Sequence, residues 1–130
     1  MRYLTEAELI EINRQVIDFA GEGIIGVADE KGLQSIVAAP QQIFFGREAY
    51  PNIWLKAAYY LQKITKKHVF LDGNKRTALE AAKVFLLLNG VRVKFEGIEA
   101  GQMVLDVTTA PDSQAVMLKI AHYFQTHQIK

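Results

Sequence analysis

Between residues 68 and 79 the chain reads HVFLDGNKRTAL, which brings His68, Asp72, Asn74, Lys75 and Arg76 within nine positions. These are the residue types of phosphate chemistry. A carboxylate such as Asp72 suits Mg²⁺, which commonly bridges one carboxylate and the phosphates of a substrate. Gly73 lets a ligand approach the backbone. Lys75 and Arg76 supply two full positive charges. His68 lies four residues before Asp72, and histidine is the usual general base.

These residues need a scaffold, and the flanking sequence supplies one. Asp72-Gly73 signals a turn. A helix is expected to begin near Gly73 or Asn74 and to run through Ala78, Leu79, Ala81, Ala82 and Val84 to Leu88. It is apolar nearly all round, which predicts a place in the middle of the domain. Its first N–H groups lack intrahelical partners and its dipole is positive there, so that end attracts phosphate. Lys75 and Arg76 sit against the dipole, a local cost that a bound phosphate reverses. Phe70 is apolar but shares its parity with His68 and Asp72, so it is expected to plug the core and anchor the loop. The residues alone leave two readings open. One is a phosphate-handling site. The other is a solvated turn in which Asp72 or Asn74 merely caps the helix.

The rest of the chain reads as helices. Thr5 and Glu8 form a capping-box pattern, followed by Leu9, Ile12, Val16 and Phe19 at helical spacing. Gly21, Gly23 and Gly26 break that helix. A short helix is expected from about Glu30 to Ala39, with Leu33, Ile36 and Val37 inward and Pro40 ending it. Asn52 is placed to cap a third helix, about Ile53 to Lys66, whose apolar Trp54, Leu55, Ala58, Tyr59 and Leu61 make it an expected core element. Asn89-Gly90 stops the apolar helix, VRVKF at 91 to 95 alternates like a short strand, and two more helices follow around Pro111. Residues 41 to 52 sustain no period and fit a short helix, a hairpin or a flap. The expected fold is a mainly all-α bundle of about six helices in a single domain spanning 1–130.

Composition narrows the function. Half of the 130 residues are apolar and 22% are charged, as in an ordinary globular protein. There is no cysteine, which excludes a disulfide framework and agrees with a cytoplasmic location. The formal net charge of +1 gives no global case for nucleic-acid or membrane binding. The first ten residues, with two acids, read as a helix start rather than a signal peptide. The longest apolar run, VFLLL, is too short to span a bilayer. Lys63, Lys66, Lys67 and His68 form a basic cluster that could meet an RNA backbone, but no aromatic residues interleave it. His122 and His127 have no ligand partners at metal spacing and read as surface residues, while Met103 and Met117 read as core.

His68 to Arg76 resembles the H-x-F-x-[DN]-[AG]-N-K-R signature of the death-on-curing (Doc) toxins, a branch of the Fic/Doc superfamily. MRYLTEAELIEIN is similar to the Doc N-terminal helix, and NKRTAL…FLLLNGV to the helix after the motif. Residues 20 to 55 carry the least similarity. Fic AMP transferases instead carry H-x-F-x-[DE]-G-N-G-R-x-x-R. This sequence departs from that pattern at Lys75 and Leu79. Both departures match Doc.

The resemblance implies a Fic/Doc-like helical bundle with a possible β-hairpin flap at 41 to 52. It implies a toxin of a type II toxin–antitoxin pair. This would be a protein kinase that uses ATP and Mg²⁺ to phosphorylate a threonine or serine hydroxyl of elongation factor Tu, arresting translation. By motif position, His68 takes the hydroxyl proton and Phe70 plugs the core. Asp72 positions Mg²⁺ or phosphates, and Gly73 and Asn74 form the anion-binding turn. Lys75 and Arg76 hold the phosphate chain and neutralise developing charge. The implied partner is an antitoxin whose disordered C-terminal segment folds onto the toxin, with no direct DNA contact by the toxin itself. Phe19, Phe44, Phe45, Tyr59 and Tyr60 are candidates for that groove, or for the core. AMP transfer and a catalytically silent, antitoxin-binding corepressor module are the alternatives.

Overall fold

The Glu8 backbone N–H donates to Thr5 Oγ1 at 3.1 Å, and the Thr5 N–H donates to Glu8 Oε1 at 2.9 Å. The expected capping box thus opens α1 (Glu6–Ala20). Gly21 closes it in the left-handed conformation at φ 75°. The computed structural model describes residues 1–94 and 97–130. The later elements are α2 (Glu30–Ala38), a 3-10 turn (Ala39–Gln41), β1 (Ile43–Phe44), β2 (Arg47–Glu48), α3 (Ile53–Lys67), α4 (Asn74–Leu88), α5 (Gly97–Thr109) and α6 (Gln114–Thr126). Asp29, Asn52 and Ser113 cap α2, α3 and α6 through side-chain oxygens on backbone N–H groups. Pro40 does not simply stop α2, because the chain tightens into the 3-10 turn and carries Pro40 buried within it.

The fold is the expected mainly helical one, with six helices and one small hairpin among the described residues. β1 and β2 pair antiparallel with Ile43 opposite Glu48 and Phe44 opposite Arg47. This resolves residues 41 to 52 as a hairpin whose two loop residues, Phe45 and Gly46, have φ of 51° and 76°. Two positive φ angles match the twist of a tight hairpin. Val93 bridges to Gln128, and the Ile129 N–H donates to Arg92 O at 2.8 Å, tying the chain's end to the segment after α4. Phe95, the last residue of the expected short strand, lies outside the described residues.

The centre of the bundle is α3, not α4. Nine of the fifteen α3 residues are buried, including Tyr59, Tyr60, Leu61 and Ile64, and α4, α5, α6 and α2 all pack against it. In α4, Ala78, Ala81, Ala82, Phe85 and Leu86 face the core, while Leu87 and Leu88 are exposed. Apolar content alone therefore overstated the burial of α4. Its alanines are small enough to let α3 approach closely. Of the two places the sequence left open for Phe19, groove or core, the structure gives the exposed one. It extends α1's apolar spacing but lies near the C-terminus of α1 and is 82% exposed.

Candidate active site

The motif begins where α3 ends. His68 caps α3 in the left-handed region, at φ 49° and ψ 51°, with its side chain exposed. That turn breaks any extended alternation through the loop. Val69 and Phe70 are both buried, and Leu71 is exposed. Phe70 is 2% exposed and packs in the core cluster. The loop is also paired like a short strand. The Ala28 N–H donates to Val69 O at 2.8 Å and the Leu71 N–H to Gly26 O at 3.0 Å, with Val27 bridging Phe70.

Asn74, the first residue of α4, uses its side chain on the loop itself. Its Oδ1 accepts from the Phe70 N–H at 3.0 Å and its Nδ2 donates to Phe70 O at 2.9 Å. Neither Asp72 nor Asn74 caps α4. Gly73 occupies the cap position at φ 72°, with no side chain on the helix's first N–H groups. Those groups stay available to a ligand. Gly73 is favoured on two counts. Its φ strains any L side chain, and a Cβ there would lie 3.0 Å from Ile17 Cδ1 and 3.3 Å from Val16 Cγ1. The close approach that Gly73 permits is that of α1.

Asp72 is anchored on both sides. Its Oδ2 accepts from the Ile24 N–H at 2.7 Å, and its carbonyl accepts from Asn13 Nδ2 at 2.9 Å. Asn13 also donates to Thr77 Oγ1 at 3.1 Å, and both residues are fully buried. Asn13 therefore joins α1 to the motif on either side of the α4 N-terminus. Asp72, Gly73 and Arg76 line one cavity of about 380 Å³, together with Val16, Ile17, Ala20, Glu22 and Gly23. Arg76 also places its guanidinium 5.5 Å from the centre of the Phe19 ring and borders a 410 Å³ groove between α1 and α4. His68 and Lys75 are solvent-exposed and do not line the cavity. The structure thus gathers Asp72, Gly73 and Arg76 into one hollow, with Arg76 exposed at its rim, bonds Asn74 to Phe70, and leaves His68 and Lys75 exposed outside it.

Two of the three lysines before His68, Lys63 and Lys66, serve the fold, while Lys67 is exposed. Lys63 pairs with Asp112 at 2.7 Å. Lys66 Nζ donates to Thr108 O and Ala110 O, at the C-terminal end of α5. His127 is less free than its sequence context suggests. Its Nε2 lies 3.0 Å from Glu99 Oε1 and its ring stacks on Tyr123. His122 is exposed, Met117 is buried and Met103 packs partly against the core. Among the described residues no group of three or more His, Cys, Asp or Glu is placed to hold a metal ion. Asp72 shares its cavity with one other carboxylate, Glu22, a donor set that fits Mg²⁺ when the ion takes most of its ligands from phosphates and water. Among the described residues no helix is long and apolar enough to cross a membrane.

Two residues were invisible as functional candidates in the sequence. Asn13 sits on the apolar face of α1 between Leu9 and Val16, and a polar residue at a core position is the signal that it has a buried partner. Lys56 interrupts the apolar run of α3 in the same way and is 1% exposed. Among the groove candidates, Tyr59 and Tyr60 belong to the core. Burial drives the Tyr60 phenol up to about 12, and its oxygen accepts from the Leu4 N–H. Phe19, Phe44 and Phe45 are exposed.

A helical bundle with a cation-bearing, uncapped helix start beside a histidine loop defines a class, and sequence comparison gives the family. The model of the Fic/DOC family matches residues 3–86. The chain is 42% identical over 95 residues to Toxin Doc of Mycolicibacterium smegmatis, covering 72% of each chain. It is 34% identical over 112 residues to Protein kinase doc of Escherichia phage P1, covering 84% of each. The chain belongs to the Fic/DOC family.

Proposed function

We propose that the chain is the toxin of a toxin–antitoxin pair and a protein kinase that moves the γ-phosphoryl group of ATP to a serine or threonine hydroxyl of elongation factor Tu. The observation that carries this reading is the first turn of α4. Its N–H groups have no side-chain cap, and Lys75 and Arg76 stand there against the dipole. Lys75 occupies the place where an AMP transferase of the superfamily has glycine. Leu79, half-buried against the core, occupies the place of its last arginine. The relative named as a protein kinase supports the same reaction class.

In this reading His68 accepts the proton of the attacking hydroxyl. The hydroxyl oxygen bonds to the γ-phosphorus, the bond from that phosphorus to the β–γ bridging oxygen breaks, and ADP leaves. Arg76, Lys75 and the free N–H groups of the α4 start neutralise the charge that moves onto the leaving oxygen. Asp72, with one carboxylate oxygen fixed by Ile24, would hold Mg²⁺ through its other oxygen, and the ion would spread the phosphate charge. The hairpin of β1 and β2 docks the target by strand addition at its exposed edge. The antitoxin's C-terminal segment seats on the groove between α1 and α4, where Phe19 is the apolar foothold.

The test is incubation of the purified chain with ATP, Mg²⁺ and elongation factor Tu, read by mass spectrometry of the intact target. A phosphoryl adduct is expected, and His68→Ala should lower its rate by about 100-fold or more. An adduct of whole AMP would move the chain to the other branch of the superfamily. No adduct, with His68→Ala as growth-inhibitory as the wild type, would mark a non-catalytic binding module.

A further inference from the structure

Lys56 is the only charged residue among the buried ones described, at 1% exposure. Its Nζ donates to Pro40 O at 2.7 Å, lies 3.2 Å from Glu48 Oε1 and sits 5.2 Å from the centre of the Tyr3 ring. An ammonium has three N–H groups and no acceptor. Its three partners come from three places: the turn before the hairpin, the hairpin's second strand and the N-terminal arm. Burying a cation is costly unless each proton is met, and an apolar side chain of the same length would fill the space without that cost. The cation must therefore do something that packing does not.

The hairpin it reaches needs such a hold. All four strand residues are exposed. A two-stranded hairpin with no buried face is marginal on its own. Its base is closed by the Ala49 N–H on Gln42 O at 2.9 Å, and Tyr50 packs on Tyr59 just past the second strand. Lys56 links the entry turn to the second strand itself. We propose that Lys56 is the positioning residue of the hairpin, fixing the angle at which Phe44, Phe45 and the strand edge meet a protein substrate. The functional half of this inference rests on the kinase reading above.

The test compares the full chain with Lys56→Met, which keeps the apolar stem, and with Glu48→Gln, which weakens only the hairpin's side of the pair. Amide exchange at Ala49 and across residues 43 to 48 should quicken about tenfold or more in Lys56→Met, the scale of one charge-assisted hydrogen bond, with α1 and α4 unchanged. Glu48→Gln should shift the same amides by less. The KM for elongation factor Tu should rise about tenfold in Lys56→Met while kcat and the KM for ATP stay within about twofold, the pattern of lost substrate binding. Hairpin exchange that does not change in Lys56→Met overturns the anchor. Faster exchange with an unchanged KM for the protein substrate overturns its function. A wild type that transfers nothing to elongation factor Tu overturns the functional half together with the kinase reading, and the exchange data then decide the anchor alone. Should Lys56→Met fail to fold, Glu48→Gln, whose side chain is 46% exposed, carries both readouts.

Discussion

Asn13→Ala removes the buried amide that ties α1 to the motif. The amide donates to Asp72 O at 2.9 Å and to Thr77 Oγ1 at 3.1 Å. Two net hydrogen bonds are worth about 1 kcal/mol each, and leaving the buried Thr77 hydroxyl without its donor adds roughly 1 kcal/mol. The expected loss is about 2–4 kcal/mol, within the 5–15 kcal/mol of a typical domain, so the protein still folds. In urea the midpoint should fall by about 1–2 M. The specific claim is the pairing itself, and a cycle with Thr77→Val isolates it. The coupling energy should be about 1 kcal/mol, against a scatter of about 0.3–0.5 kcal/mol for independent sites. Phosphoryl transfer should fall further than the loss of folded protein explains, because the Asp72 carbonyl is then free to move. Additive effects in the cycle, or a rate that tracks the folded fraction alone, would refute the reasoning.

Two further outcomes follow from the same structure. The Arg2 guanidinium, with the Thr5 N–H, holds the Glu8 carboxyl at about 2, below the ordinary 4.5. The folded value is depressed, so the stability it contributes is present above about 4.5 and lost as pH falls through about 2. Urea unfolding at pH 7 and pH 3 should show Glu8→Gln slightly less stable at pH 7, with the gap narrowing at pH 3. The gap stays small because both partners face solvent. Phe45 has φ of 51° and a fully exposed ring at the hairpin tip. Phe45→Asn, a residue that tolerates this conformation, should slow exchange at Ala49 yet raise the KM for elongation factor Tu about tenfold, the scale of one buried aromatic side chain. An unchanged KM would remove Phe45 from the docking surface.

What was legible in the sequence was local. The T-x-x-E box at Thr5, the cap at Asn52 and the stop at Gly21 each depend on residues within one turn, and each stands where expected. The nine-residue motif was legible because its chemistry is contiguous. What escaped was everything decided across the fold. Periodicity reports which face of a helix is apolar, not which helix lies opposite. So α4 looked apolar all round while Leu87 and Leu88 at its end are exposed, and Phe19 could be read for groove or core until the fold stood it over the groove beside Arg76. Asn13 and Lys56 were passed over because their partners lie 59 and 16 residues away. The hairpin stayed ambiguous because Phe45 stands where a tight turn favours asparagine.

The chain supplies its own comparison for the cations of the motif. Lys66 lies against the carbonyls at the C-terminal end of α5, where a helix dipole favours positive charge. Lys63 is paired with a carboxylate. These basic residues obey the rules of stability, and their presence beside His68 does not argue for a nucleic-acid surface. Lys75 and Arg76 break those rules. They stand at the N-terminus of α4, where no acidic residue occupies the first turn and no side chain caps the helix. The cost of each is about 0.3–1 kcal/mol. In the proposed reading, a triphosphate at that helix start would meet Arg76 and the free N–H groups in the cavity, with Lys75 on its solvent side, and would turn the same placement into attraction. The residues that violate the dipole rule are the ones aligned with the family motif, and the buried amide of Asn13 fastens the helix start that carries them.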